Sequence, residues 1–206
     1  MAKNENAKTG ILFVIAAPSG AGKTSLIKEV TKRLEKKHEI SKVPTCTTRP
    51  PRTGEVDKKD YYFLSPDEFI EKQKNGEFLE TTEYNGKLYG SPLSFLDDLK
   101  LGKSFIIITD LQGVKNLSKL IKDRVSIWIE TKNIEELRRR ILKRGSISEQ
   151  QIEQRLKLAE EEMVEAEKSR LLDYHVVNDV FEQTVEELIL LIKDKLLKNE
   201  VHKISS

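Results

Sequence analysis

A lysine and a threonine set directly after a run of small residues can together hold a polyphosphate. Here they are Lys23 and Thr24, preceded by Ala17, Pro18, Ser19, Gly20, Ala21 and Gly22. Small residues let consecutive backbone N–H groups curl around an anion. The helix that follows would point its positive end at the same charge. Lys23 would reach the β- and γ-phosphates of a nucleotide, and the Thr24 hydroxyl would bind Mg²⁺. The spacing G-x-x-x-x-G-K-[ST] asks for glycine at 17, where this chain has alanine, so the backbone there should take ordinary angles. The alternative is a Gly-rich turn that binds nothing. The order of apolar strand, turn, Lys-Thr and helix weighs against it.

Three other groups could handle phosphate or metal. Arg49 and Arg52 flank Pro50-Pro51. The prolines stiffen the backbone, and guanidinium offers paired donors, as a phosphate clamp requires. Two solvated arginines beside prolines would look the same. Asp110 ends an apolar run; it can help to hold Mg²⁺ or cap the turn that follows. Arg138, Arg139, Arg140, Lys143 and Arg144 share one helical stretch, and Arg155 lies on the next. They form either a mobile basic lid or a solvated helical hairpin.

These groups need elements to place them. Ile11 to Ile15 reads as a buried strand, and Leu26, Ile27, Val30 and Leu34 give a helical face over about Thr24 to Lys37. Asp60–Leu64 and Phe78–Thr82 read as strands, and Asn85-Gly86 as a hairpin turn. Between those strands Ser65 and Glu68 form a capping box with Pro66 at the first helical position. Ser104 to Thr109 and Val125 to Glu130 are further buried strands, with Trp128 placed in the core. Asn133 with Glu136, and Ser148 with Gln151, open two helices. Tyr174–Val177 is a last short strand, and a final helix is expected from Thr184, boxed by Glu187. The strand-rich stretch in the middle interrupts a βα pattern and looks like an inserted substrate module.

Composition narrows the class. The chain has 206 residues with 36 basic and 34 acidic side chains, a formal net charge of +2. That balance lacks the basic excess of a nucleic-acid binder. One cysteine, Cys46, excludes an internal disulfide. No apolar run approaches membrane-spanning length, and the polar first residues lack the apolar stretch of a secretory signal. The expectation is a cytoplasmic globular protein without membrane or nucleic-acid partners.

In order and spacing, APSGAGKT, TTRPPRTGE, DYYF, FLE, YGS, DLQG, Arg144-Gly145 with Arg155, and VVND resemble the guanylate kinase family. The resemblance runs from about Ile11 to Val201. It implies an α/β, three-layer P-loop NTPase fold with a mainly parallel sheet, an inserted GMP-binding subdomain and a helical lid. The core would comprise residues 10–43, 95–135 and 167–203, the GMP-binding subdomain 44–94, and the lid 136–166. The implied reaction transfers the γ-phosphoryl group of ATP to GMP, and to dGMP, with Mg²⁺. Ala17 through Thr24 and Asn178 would bind ATP. Arg49, Arg52, Tyr61 and Tyr89 would hold the GMP phosphate, with Glu55 orienting the clamp. Thr45, Glu80 and Ser91 would contact guanine or its surroundings, and Asp110 would serve GMP or the metal beside Thr24. Lys23, Arg140, Arg144 and Arg155 would carry catalysis.

Four positions depart from the family pattern. Thr45 stands where Ser is usual. Ile108 stands where a carboxylate is frequent, Lys58 where Gly or Asn is usual, and Ile147 where an acid is common. A small GTPase would share the D-x-x-G of Asp110 to Gly113, but N-K-x-D is absent from the chain. A protein-binding relative would have lost its phosphate-loop residues, which are present here. A kinase for sugar phosphates should lack Thr45 and Glu80 together.

Overall fold

The computed structural model describes residues 9–35, 38, 40–52, 54–143 and 148–204. Arg144 and Ile147 lie outside the described residues. The chain alternates β1 (Leu12–Ala16), α1 (Lys23–Leu34), β2 (Ile40–Lys42), β3 (Thr45–Thr47), β4 (Tyr61–Phe63), α2 (Pro66–Lys74), β5 (Phe78–Tyr84) and β6 (Lys87–Pro92). A 3₁₀ turn at Leu93–Phe95 leads into α3 (Leu96–Lys100). Then come β7 (Ser104–Thr109), α4 (Leu111–Leu120), β8 (Arg124–Glu130), α5 (Ile134–Lys143), α6 (Glu149–Lys168), β9 (Tyr174–Val177) and α7 (Phe181–Ile204).

One sheet has the order β2-β7-β1-β8-β9, and every pairing in it is parallel. Helices cover both faces, as a parallel sheet requires. On one side α1 and α7 supply Leu26, Ile27, Val30, Val185, Leu188 and Ile192 against Phe13, Ile15, Ile106, Ile127 and Ile129. On the other, Leu99, Val114, Leu117 and Ala166 pack on Leu12, Val14, Ile107 and Trp128. This gives a three-layer α/β core. Strand β1 is buried along its whole length, which is why it reads as a continuous apolar run and not as an alternation.

The second sheet has the order β4-β3-β6-β5 and is mixed. Its β5–β6 hairpin turns at Asn85 and Gly86, both with positive φ (50° and 65°), as a two-residue hairpin favours. The chain switches sheets between β2 and β3, at Val43-Pro44. Helices α5 and α6 meet through a small cluster of their own, Leu137, Ile141, Ile152, Leu156 and Ala159. Among the described residues no helix is long and apolar enough to cross a membrane.

Two expected caps differ. Helix α7 begins at Phe181, a turn before Thr184: the Thr184 amide already bonds the Val180 carbonyl, and its hydroxyl donates to the same carbonyl at 3.0 Å instead of capping. In α5 the Glu136 amide does donate to Asn133 Oδ1 (2.8 Å). However, the Glu136 carboxylate does not close the box. It binds Arg139 and Arg140, which hold its pKa at about 2.

Candidate active site

The cleft lies beyond the carboxyl ends of the parallel strands, where open α/β sheets gather their ligands. Residues 17–22 leave β1 there, Asp110 follows β7 and Asn178 follows β9. Gly22 caps α1 in the left-handed region (φ 92°), with no side-chain cap and no acid in the first turn. The helix therefore presents bare amides and an uncompensated positive end to the cleft. Gly20 also has positive φ, and a Cβ there would lie 2.8 Å from Leu137 of α5. Ala17 is not among the positive-φ residues, so alanine fits where the motif asks for glycine. Lys23 Nζ folds over the loop and donates to the Ala17 carbonyl at 2.8 Å.

Pro18, Ser19, Gly20, Gly22, Lys23 and Thr24 line one end of the cleft. The second sheet supplies the other end. Strand alternation turns Thr45, Tyr61, Glu80, Tyr89 and Ser91 toward the cavity, and Arg49, Arg52 and Asp110 complete it. The whole encloses about 720 Å³, including its open mouth.

The arginine loop is preorganised. Arg49 meets Glu55 through two parallel bonds of 2.9 Å, and the Arg52 amide donates to the same carboxylate at 2.7 Å. Arg49 also lies over the Tyr61 ring, 5.3 Å from its centroid. Burial works against the Glu55 charge, but its bonds to Arg49 and Arg52 outweigh this and keep its pKa below the usual value. Such a fork holds the guanidinium in one plane. Lys58, one turn away, sits at φ 63°, a backbone state that glycine enters without strain. That is the physical content of this departure.

Glu80 occupies the deep end. Its Oε1 accepts from the Ser91 hydroxyl at 2.5 Å, while Oε2 is buried without a partner. Burial, with Asp110 nearby, raises its pKa against the Ser91 bond and the Asn116 amide, which faces the carboxylate without reaching hydrogen-bond distance of Oε2. A buried acceptor without a donor is costly and marks a place for a ligand N–H. Thr45 is buried on β3, separated from Glu80 on β5 by strand β6. Asp110 caps α4: Oδ1 accepts from the Gly113 amide (2.7 Å) and Oδ2 from the Thr82 hydroxyl (3.0 Å). Ile108 forms part of the cavity wall.

The remaining expected residues lie away from the cavity wall. Arg140 binds Glu136 (2.7 Å) and the carbonyls of Ala21 (3.2 Å) and Asn178 (2.8 Å). Asn178 itself donates to the Ala21 carbonyl at 2.7 Å. Both brace the phosphate loop from behind, as Glu55 braces the arginine loop. Arg155 is half-buried on α6 and is not among the cavity-lining residues. Sequence reasoning missed Tyr84 and Thr109, which line the cavity, and the buried Glu162. Tyr84 follows Glu80 by four residues on a strand, a period-two signal that would have placed it on the same face. No sequence signal distinguishes Glu162 within its acidic run.

Cys46, on the opposite face of the second sheet, takes no part. Burial pushes its thiol up to about 11, which keeps it protonated and inert.

A family model described as guanylate kinase matches residues 9–195. The chain is 40% identical over 190 residues to the guanylate kinase of Thermotoga maritima, covering 92% of this chain and 89% of that one. It is 42% identical over 183 residues to the guanylate kinase of Geobacter metallireducens, covering 88% and 87%. Its fold superposes on the crystal structure of guanylate kinase from Anaplasma phagocytophilum with a TM-score of 0.75 at 29% identity, covering 91% and 87%. A phosphate loop at the end of β1, facing a carboxylate-bearing sheet across one cleft, is thus accompanied by family-level similarity along nearly the whole chain, and the chain belongs to the guanylate kinase family.

Proposed function

We propose that the roles in ATP-dependent phosphorylation of GMP divide across the cleft in this way. The loop from Ala17 to Thr24 cradles the ATP phosphates, with Asn178 and Arg140 fixing it from behind. Lys23 follows the charge that builds on the transferring phosphoryl group. Arg49, Arg52, Tyr61 and Tyr89 bind the phosphate of GMP, held in place by Glu55. Residues 44–94 act as the GMP-binding subdomain and 136–166 as a lid, from which Arg144 and Arg155 approach on closure. The acceptor is already an anion, so positioning and charge neutralisation suffice without a protein base. A closed lid excludes water as a competing acceptor.

The donor set suits Mg²⁺. A hydroxyl at Thr24 and a carboxylate at Asp110 both line the cleft, and Mg²⁺ takes most of its remaining ligands from phosphates and water. Bound there, the ion would neutralise charge on the β- and γ-phosphates. We expect dGMP to serve as an acceptor as well.

The observation that carries base selection is the orphan oxygen of Glu80. Guanine presents N1–H and the N2 amine on one edge. An ionised carboxylate accepts both, and Thr45 can donate to O6. Adenine lacks N1–H and leaves Glu80 facing a lone pair. Sites built on such pairing discriminate by roughly 10⁴-fold. We expect strong preference for GMP over AMP in kcat/KM, and loss of most of it in Glu80→Gln while the arginine clamp still binds phosphate. Equal use of AMP by the unmodified protein, or an unchanged ratio in the variant, overturns this assignment.

A further inference from the structure

Glu162 lies on α6, outside every motif read from the sequence, and is 8% exposed. A carboxylate is rarely buried without a reason. Its Oε2 accepts from the Tyr84 hydroxyl at 3.1 Å, across 78 residues of sequence. Lys23 and Asp110 also face it, and Glu165 lies one turn along the same helix. Tyr84 stands at a junction. Its strand belongs to the GMP-side sheet, its ring borders the cleft and packs edge-on against Tyr89, centroids 6.5 Å apart. The backbone amide of Ser19 in the phosphate loop also faces its hydroxyl. Beside this contact, Lys115 of α4 bonds Glu165 of α6. This hydrogen bond between Tyr84 and Glu162 ties the GMP-side sheet to the arginine-bearing helix, at a point that the Ser19 amide of the phosphate loop also faces.

We propose that Glu162 is a positioning residue for phosphoryl transfer, acting through the Tyr84 hydroxyl to hold α6 in register with the phosphate loop and the GMP-binding sheet. The reading rests on the substrate roles given above. Glu162 does not border the cavity, so its loss should leave GMP binding alone. A transfer geometry off by an ångström costs rate, not ground-state affinity. Arg155, on the same helix, is displaced when the contact breaks.

The test compares Tyr84→Phe, Glu162→Ala, Glu162→Gln and the double variant Tyr84→Phe/Glu162→Ala, with kcat from coupled ADP release and GMP affinity from calorimetry. Tyr84→Phe removes a single oxygen and keeps the ring packing, so it tests the contact without threatening the fold. A bond to a carboxylate sets the scale: Tyr84→Phe and Glu162→Ala should each lower kcat about tenfold. In Glu162→Ala, GMP affinity should change less than about twofold, because Glu162 does not line the cavity. The double variant should be no slower than either single one, because both remove one shared interaction. Glu162→Gln keeps an acceptor for the tyrosine and should restore most of the rate. Additive losses, unchanged kcat, a glutamine variant as slow as the alanine one, or a loss confined to GMP affinity each overturn the proposal. If the unmodified protein does not phosphorylate GMP at all, the substrate reading fails instead, and that is seen before any variant is made.

Discussion

At the scale of single residues, the site is a set of charges held ready by neighbouring groups. Lys23 rests on the Ala17 carbonyl, Arg49 on Glu55, and Asp110 between Gly113 and Thr82. Preorganised charge of this kind acts in the transition state without reorganising. Lys23→Ala removes one such charge and should raise the barrier by about 3 kcal/mol or more, over a hundredfold in kcat. The fold should survive, because Lys23 borders the cleft and is absent from the apolar core. Circular dichroism with a single-turnover assay would check both halves. Near-normal turnover by a folded variant would remove Lys23 from the mechanism.

At the scale of elements, α5 matters through what it leans on. Leu137 and Ile141 press against Gly20, and Arg140 spans the Ala21 and Asn178 carbonyls. Arginine is suited to this because its planar fork reaches several acceptors at once. Lysine keeps the charge but cannot span them. We expect Arg140→Lys to raise the KM for ATP about tenfold and to destabilise the protein by about 1–2 kcal/mol. Melting temperature and ATP kinetics, measured together, decide the role. A kcat that collapses while KM and melting temperature hold would place Arg140 on the transferring phosphate instead.

Across the whole molecule, burial of Glu162 links stability to pH. Desolvation raises its pKa to about 7, with Lys23 and the Tyr84 bond opposing the rise and Asp110 and Glu165 adding to it. The unfolded chain titrates near 4.5, so between these values the folded state holds more protons. The stabilisation is therefore full below 4.5 and is lost as pH rises through about 7. The loss is on the order of 1–3 kcal/mol. Glu55 runs the other way. Its pKa is lowered, so its contribution is present above the unfolded value and fades in acid. Urea midpoints at pH 5 and pH 8 should show a smaller pH-dependent fall in Glu162→Gln than in the unmodified protein. An identical fall in both would mean that Glu162 is not the group titrating.

Much of this is legible in the amino-acid sequence. A strand, a turn of small residues and Lys-Thr opening a helix are local in sequence, and local geometry follows from local residues. The same holds for the capping boxes at Ser65 and Ser148 and for the Asn85-Gly86 turn. Glu55 beside Arg49 was within reach, since six residues separate them on a stiff loop. Tertiary packing decided the rest. Thr184 was read as a cap, but its hydroxyl turns back to Val180 once α7 docks. The chain leaves one sheet for another at Val43-Pro44 because Val43 is drawn onto β7, its amide bonded to the Ile106 carbonyl, while Thr45 pairs with Tyr61. Arg140 is expected from the sequence to reach the transferring phosphate, and its bonds in the fold run to carbonyls more than 30 residues away. Glu162 is one acid in an acidic helix until folding brings Tyr84 to it from 78 residues away. Sequence determines which side chains can do the chemistry, because type and short-range spacing are written there. Which of them face the cleft and which stand behind it depends on desolvation and long-range contact, and those exist only in the folded chain.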